Sequence, residues 1–126
     1  MQGGRDERGQ STVEFVLLLP ILATVFAGLV EIALLAGDQV RLWHAAREAA
    51  RVAVVDPDPT QVAIAAESSG LWPLQLDIDP DVAHRVQGSP LTVRVQYDPP
   101  GHLPVLGFIA RSVDLDAAAT MRIEQP

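Results

Sequence analysis

The sequence predicts an α+β fold in which one long N-terminal helix carries a short second helix packed on a small antiparallel β-sheet. Three observations predict it. Residues 15–30 are apolar and contain no charge, which is typical of a helix that crosses a membrane. Residues 38–55 continue with strong helix formers. From residue 74 onward apolar and polar residues alternate, as they do in strands with one buried face.

The apolar segment is predicted to belong to a transmembrane helix over residues 10–37. A hydrocarbon core of about 30 Å needs about 20 helical residues, and the window 13–36 supplies them when Glu14 and Glu31 lie near opposite interfaces. These carboxylates are 17 residues apart, or about 25 Å along a helix. Pro20 removes one backbone hydrogen bond, which membrane helices tolerate. A buried helix of a soluble protein is the alternative, but so small a domain would not cover it on all sides.

This segment is expected to remain in the mature protein. A signal-peptidase site needs small residues at two positions spaced two apart, and residues 23–37 do not offer that pair. Arg5 and Arg8 favour a cytoplasmic N-terminus and an extracytoplasmic C-terminal domain, although Asp6 and Glu7 lie among them.

The same helix is predicted to continue outside the membrane to about residue 55, as the first part of an extracytoplasmic region that spans residues 38–126. Small residues recur there at intervals of four. This alanine stripe consists of Ala45, Ala46, Ala49, Ala50 and Ala53. Such a stripe allows another helix to approach closely, or it reflects only the high helix propensity of alanine. The sequence leaves both interpretations open.

After the prolines at 57 and 59 end the long helix, a second helix is predicted over residues 59–69. Asp58 has the position of its N-cap, Gln61 completes a capping-box spacing, and Gly70 ends it in a left-handed conformation. Three amphipathic strands are predicted to follow. They cover residues 74–78, 91–97 and 113–123. Their shared apolar face needs a cover, and the two helices are the only candidates.

Two connections are less clearly defined. Residues 79–89 form either a long hairpin loop or a capped helical turn that begins at Asp79 and Pro80. Residues 102–110 are apolar but contain Pro104 and Gly107, which favours a loop, with or without one helical turn.

Composition and charge argue against several functions. The chain has no cysteine, which excludes disulfides and thiol catalysis. Residues 56–126 carry ten acids against four arginines, so we do not expect nucleic-acid binding. The three histidines, at 44, 84 and 102, lack a second ligand at a metal-binding spacing. Asp77, Asp79 and Asp81 alternate as in a calcium loop, but the glycine and the distal Glu of such a loop are missing. We therefore predict no enzyme, catalytic residue, cofactor or metal site.

The most informative stretch is RGQSTVEF, residues 8–15, which joins the end of a short polar leader, residues 1–9, to the start of the apolar helix. It places Glu14 at the start of the apolar helix, where an ionised carboxylate is costly without a partner. This stretch resembles the N-terminus of the TadE-like family of tight-adherence (Flp) pilus assembly proteins. The Ala/Arg-rich residues 45–51 and the final strand, residues 118–124, also look like that family.

The resemblance implies a pseudopilin-like component of a tight-adherence (Flp/type IVb-like) pilus assembly or secretion system. It implies that a prepilin peptidase cuts between Gly9 and Gln10 on the cytoplasmic side. Glu14 then becomes the fifth residue of the mature chain, with a role in assembly and register. The α-amine of Gln10 on one subunit can neutralise Glu14 on the next. The implied partners are the cytoplasmic membrane, the peptidase, other pilin-like subunits and the assembly machinery, with the cell surface as a further location.

Two alternatives depend on the absence of cleavage. In one, the chain is an unprocessed single-pass membrane protein with a small extracytoplasmic binding domain, and Glu14 is only an interfacial residue. In the other, it is an unprocessed accessory protein of a secretion system in the cell envelope.

Overall fold

The computed structural model describes residues 6–101, 103 and 112–125, with side chains from residue 9 onward. Its elements follow the predicted order and confirm the α+β class. In chain order they are α1 (Asp6–Ala53), α2 (Pro59–Glu67), β1 (Gln75–Asp79), a 3-10 turn (Val82–His84), β2 (Pro90–Tyr97) and β3 (Leu115–Arg122).

Helix α1 is a single 48-residue element, about 72 Å long at the usual helical rise. Pro20 lies inside it without ending it, and the Thr24 hydroxyl donates a hydrogen bond to the Pro20 carbonyl at 2.8 Å. The first part of α1 is exposed on all sides, whereas from Leu42 onward one face is buried. The apolar segment and its soluble extension are therefore one continuous helix, and this helix ends within two residues of the predicted position.

The sheet has the order β1-β2-β3 and is antiparallel throughout. Its central strand, β2, alternates as the sequence predicts. The inward side chains of β2 are Leu91, Val93, Val95 and Tyr97, all buried. They face α1, which packs against both β2 and β3. Helix α2 packs against α1, and its Val62 and Ala66 join the same hydrophobic core. The long helix is thus the principal cover of the sheet.

The alanine stripe is the part of α1 that enters this core. All five of its residues are between 0 and 1 % exposed, and Leu42, one turn before the stripe, is fully buried. Methyl side chains let the helix backbone approach the sheet and α2 closely, because no longer side chain keeps them apart. Of the two interpretations that the sequence left open, close packing is confirmed, and the partners of the stripe lie within the same chain.

The start of α2 follows the prediction, with one correction. Asp58 caps the helix by accepting a hydrogen bond from the Thr60 N–H at 2.9 Å. The backbone N–H of Asp58, which a capping box would pair with Gln61, donates instead to Asp56 Oδ1 at 2.9 Å. The α-helix ends at Glu67, two residues earlier than predicted, and Gly70 has the expected left-handed conformation with φ of 81°.

The connection at 79–89 contains a short helical turn, one of the two alternatives. Its cap is Asp81, not Asp79: Asp81 accepts from the His84 N–H at 3.2 Å. The other open connection, 102–110, lies outside the described residues except for Leu103. The third strand is shorter than predicted, because it begins at Leu115 and leaves Val113 outside.

Hydrogen bonds at both ends of the sheet fix its height along α1. Near the start of the soluble extension, the Gln39 side chain donates to the Asp116 carbonyl at 2.8 Å. Just beyond the end of α1, the Val54 carbonyl accepts from the Glu124 N–H at 3.0 Å. The segment of α1 between these two contacts, residues 39–54, is about 22 Å long. The segment between them on the β3 side, residues 116–124, is about 27 Å long, which is similar. Strand β3 therefore runs along α1 in the same direction.

Candidate functional site

The predicted processing and assembly residues lie on the first turns of α1. Gly9, Gln10 and Glu14 are all exposed. The Gln10 side-chain amide donates a hydrogen bond to Glu14 Oε1 at 3.3 Å, since residues four apart lie on the same side of a helix. An amide satisfies part of the hydrogen-bonding capacity of the carboxylate but leaves its charge in place.

Gly9 is not required by the fold. It lies within helix α1, and a Cβ atom added to it would meet no other atom within 4 Å. A glycine in a helix costs about 1 kcal/mol relative to alanine. The reason for a glycine at this position therefore lies outside the packing of the described chain.

The part of α1 that the other described residues leave uncovered has the length and composition of a membrane-crossing helix. Residues 9–26 are all exposed, and residues 27, 28 and 30 are the first that are half-buried. An 18-residue window of this helix has a mean hydropathy of 2.4, and only 6 % of that window is buried. By length and composition, α1 can cross a bilayer once.

Glu31 has a role that the sequence did not reveal. It is only 5 % exposed, and its Oε2 accepts a hydrogen bond from the Leu103 backbone N–H at 3.1 Å. We expected a carboxylate near the membrane interface. The structure shows in addition that it binds the segment after β2, where the C-terminal part of the chain first covers α1. A lone charge within an apolar helix was the available signal, but its partner is 72 residues away.

A second buried carboxylate lies two turns further along α1. Asp38 is 5 % exposed, and its Oδ1 lies 3.8 Å from Arg41 Nη1. Burial raises the pKa of Tyr97, at the end of β2, and the negative charge of Asp38 raises it further, while Arg41 acts in the opposite direction. Polar groups thus mark the junction between the uncovered helix and the globular part.

The C-terminal end of α1 is also held by a side chain that the sequence analysis did not single out. Arg85 is 8 % exposed, and its Nη1 donates to the Ala53 carbonyl at 2.8 Å. A cation at this end is favourable because the last carbonyls of a helix lack intrahelical donors. Arg85 therefore links the connection between β1 and β2 to the long helix.

The residues considered for chemistry lie on the surface. His84 Nδ1 is 2.6 Å from Asp81 Oδ1, both residues are exposed, and their hydrogen bond lowers the pKa of Asp81. Asp77 and Asp79 are exposed on the outward side of β1, and His44 is exposed on α1; His102 lies outside the described residues. Among the side chains that the structure describes, no group of three or more acids and histidines is placed to hold a metal ion.

Comparison with protein families gives one match. Residues 9–51 match the model of the TadE-like protein family. The match covers about a third of the chain, and it includes the residues predicted to serve processing and assembly together with most of the alanine stripe. The resemblance inferred from the N-terminal stretch is thereby confirmed over this range, while that of the final strand stays a prediction. Comparisons with curated proteins and with solved structures gave no match.

Proposed function

Because residues 9–51 are TadE-like and form a helix that can cross a membrane, we propose that this protein is a pseudopilin-like component of a tight-adherence (Flp/type IVb-like) pilus assembly or secretion system. It is anchored in the cytoplasmic membrane by one span and cut by prepilin peptidase between Gly9 and Gln10. Its C-terminal domain is extracytoplasmic, where it meets other pilin-like subunits and the assembly machinery. The observation that carries the proposal is the Gly9–Glu14 stretch at the uncovered start of α1.

Gly9 supports cleavage because the fold gives no other reason for it. A side chain would fit there without contact, so packing does not select glycine. A protease needs an extended backbone at the bond it cuts, and glycine reaches that conformation with the least steric resistance. The first turn of a helix opens readily, because its amides lack intrahelical acceptors. The bond after Gly9 is therefore in a suitable place for a membrane protease.

Glu14 supports assembly because the described residues accommodate its charge only partly. The Gln10 amide is a neutral partner, and an ionised carboxylate at the edge of hydrocarbon favours a positive one. Cleavage creates that charge at the α-amine of Gln10. Pairing of this amine with Glu14 of the next subunit removes the isolated charge and fixes the relative height of the two helices.

The first experiment tests cleavage with two matched substitutions. Gly9→Val is expected to block processing, and Gly37→Val is its control, since Gly37 is an α1 glycine that also has open space around its Cβ position. N-terminal mass spectrometry of protein from membranes containing prepilin peptidase should find wild type and Gly37→Val beginning at Gln10. If wild-type chains still begin at Met1, the pseudopilin proposal is wrong and the unprocessed single-pass alternative is favoured.

The second experiment separates charge from hydrogen bonding at Glu14. Glu14→Ala and Glu14→Gln should both be cleaved, and both should impair pilus assembly, because glutamine preserves size and polarity but not charge. Glu48→Gln removes an exposed carboxylate from the same helix and serves as the control. Sheared pili measured by electron microscopy and immunoblotting give the readout. Normal pilus formation by Glu14→Gln would show that charge neutralisation is not the role of this residue.

A further inference from the structure

The outer face of α1 and the outer face of the sheet carry opposite charges, and we propose that they bind each other between neighbouring copies of this chain in one membrane. The basic stripe on α1 consists of Arg47 and Arg51. The acidic row along the first edge of the sheet consists of Asp77, Asp79 and Asp81. The proposal depends on membrane anchoring of the chain but not on its cleavage.

The basic stripe points away from the core of its own chain. Arg47 and Arg51 are four residues apart and therefore share one side of the helix. Each is two residues, or about 200° of helical rotation, from the fully buried Ala49. Both are exposed, and neither forms an ion pair with any side chain that the structure describes. Two guanidinium groups are thus presented together on a surface that the described part of the chain leaves exposed.

The acidic row lies on the opposite side of the molecule. Asp77 and Asp79 alternate with inward-facing residues of β1, so their side chains point outward, and both are exposed. The row lines an open groove whose described basic groups are Arg94 and His84. A second groove on the same face is lined by three more carboxylates and again by Arg94. These carboxylates belong to Asp98, Asp114 and Asp116. The outer face of the sheet is therefore predominantly negative.

The two surfaces face away from each other, so they cannot meet within one copy. The inward face of the sheet packs on α1. The acidic row therefore lies on the face of the sheet that points away from α1, and the basic stripe lies on the face of α1 that points away from the sheet. A contact between two such different surfaces leaves a free basic stripe at one end and a free acidic row at the other. Contacts of this kind repeat from copy to copy and produce rings or open filaments.

The heights of the two surfaces also match. Asp79 pairs across the sheet with Thr92, which pairs with Thr120. Thr120 is midway between Asp116 and Glu124. Hydrogen bonds place Asp116 beside Gln39 of α1 and Glu124 beside Val54. The Asp79 row is therefore level with about residue 47 of α1. Copies held in one bilayer by the same helix have the same height, so Arg47 of one copy lies opposite Asp79 of the next.

Each ion pair between the basic stripe and the acidic row is weak alone, because water and salt screen exposed charges. Anchoring in a common membrane raises the effective concentration of the two surfaces, since the copies need only move in two dimensions. The association is therefore expected to be reversible and sensitive to ionic strength.

The test uses the full chain in vesicles of neutral lipid, and it benefits from the absence of native cysteine. His44→Cys lies one turn before Arg47, and Thr92→Cys lies beside Asp79, so all charged groups of the contact remain. A short bismaleimide should join copies of this double variant into a ladder of multimers. His44→Cys combined with Ser68→Cys, an exposed position on the α2 cap, is the control and should not form a ladder.

Charge reversal then decides the nature of the contact. Arg47→Asp with Arg51→Asp should abolish the ladder, as should Asp77→Arg with Asp79→Arg, and combining all four substitutions should restore it. A ladder that survives either reversal, or that is not restored by the combination, overturns the proposal. If the reversals abolish the ladder only in vesicles that contain anionic lipid, and the fourfold combination does not restore it there, the basic stripe binds lipid headgroups instead. Gly9→Val should leave the ladder unchanged, so this test and the cleavage test fail independently.

Discussion

Replacing Ala49 by leucine tests whether the alanine stripe sets the distance between α1 and the sheet. Ala49 is fully buried, and leucine adds three carbon atoms at a place where the helix already contacts its neighbours. Overpacking of this kind costs about 1–3 kcal/mol of unfolding free energy. For a globular part of this size, about 1 kcal/mol corresponds to about 4–8 °C in melting temperature. We expect Ala49→Leu to melt at least about 4 °C below wild type.

The control is Glu48→Leu, which introduces the same side chain at the neighbouring, exposed position. Substitutions at such a site usually change stability by no more than about 0.5 kcal/mol. Melting of the full chain in detergent is followed by near-ultraviolet circular dichroism, because the uncovered part of α1 dominates the far-ultraviolet signal and does not report on the core. Equal melting temperatures for Ala49→Leu and Glu48→Leu would refute the conclusion that close approach requires alanine.

Three further predictions concern the same globular part. Arg85→Met removes the donor to the Ala53 carbonyl and should lower the unfolding free energy by about 1.5–3 kcal/mol, whereas an unchanged melt would show that this hydrogen bond is dispensable. Asp58→Ala removes the cap of α2 and should cost about 1 kcal/mol in the same assay; Thr60→Ala, which keeps the capped N–H, should cost less. The raised pKa of Tyr97 means that folding favours the neutral phenol. Its contribution to the stability of the folded state is therefore fully present below the unfolded pKa of about 10 and is lost as pH rises through the folded pKa. Tyr97 is the only tyrosine, so phenolate absorbance measures its pKa directly, and Tyr97→Phe should remove this part of the alkaline loss of stability.

The sequence predicted the elements that depend on local pattern. The alternation in residues 91–97 identified β2 to within one residue, because a strand with one buried face repeats every two residues. Asp58 and Pro59 marked the start of α2, because capping involves groups only two or three residues apart. The N-terminal stretch at residues 8–15 indicated a resemblance to the TadE-like family, whose model matches residues 9–51, and this required no knowledge of the fold.

The sequence did not predict the contacts that join distant segments. Glu31 binds the Leu103 N–H and Arg85 binds the Ala53 carbonyl across 72 and 32 residues, and no periodicity encodes such partners. Even the local capping box did not form, because Asp58 caps the Thr60 N–H in place of Gln61 and its own N–H donates to the side chain of Asp56. These contacts depend on where the sheet lies along α1, which only the assembled structure shows.

The globular part and the apolar part of α1 are not independent folding units, because one continuous helix belongs to both. The sheet is covered chiefly by the soluble half of α1, and α2 packs on that helix as well. Without α1, the apolar side chains of β2 would face water, since the described residues offer no other element large enough to bury them. The orientation of the sheet relative to the apolar part of α1 is therefore fixed by one continuous helix and not by a flexible linker. A shift of α1 along its own axis must therefore move the acidic row by the same amount.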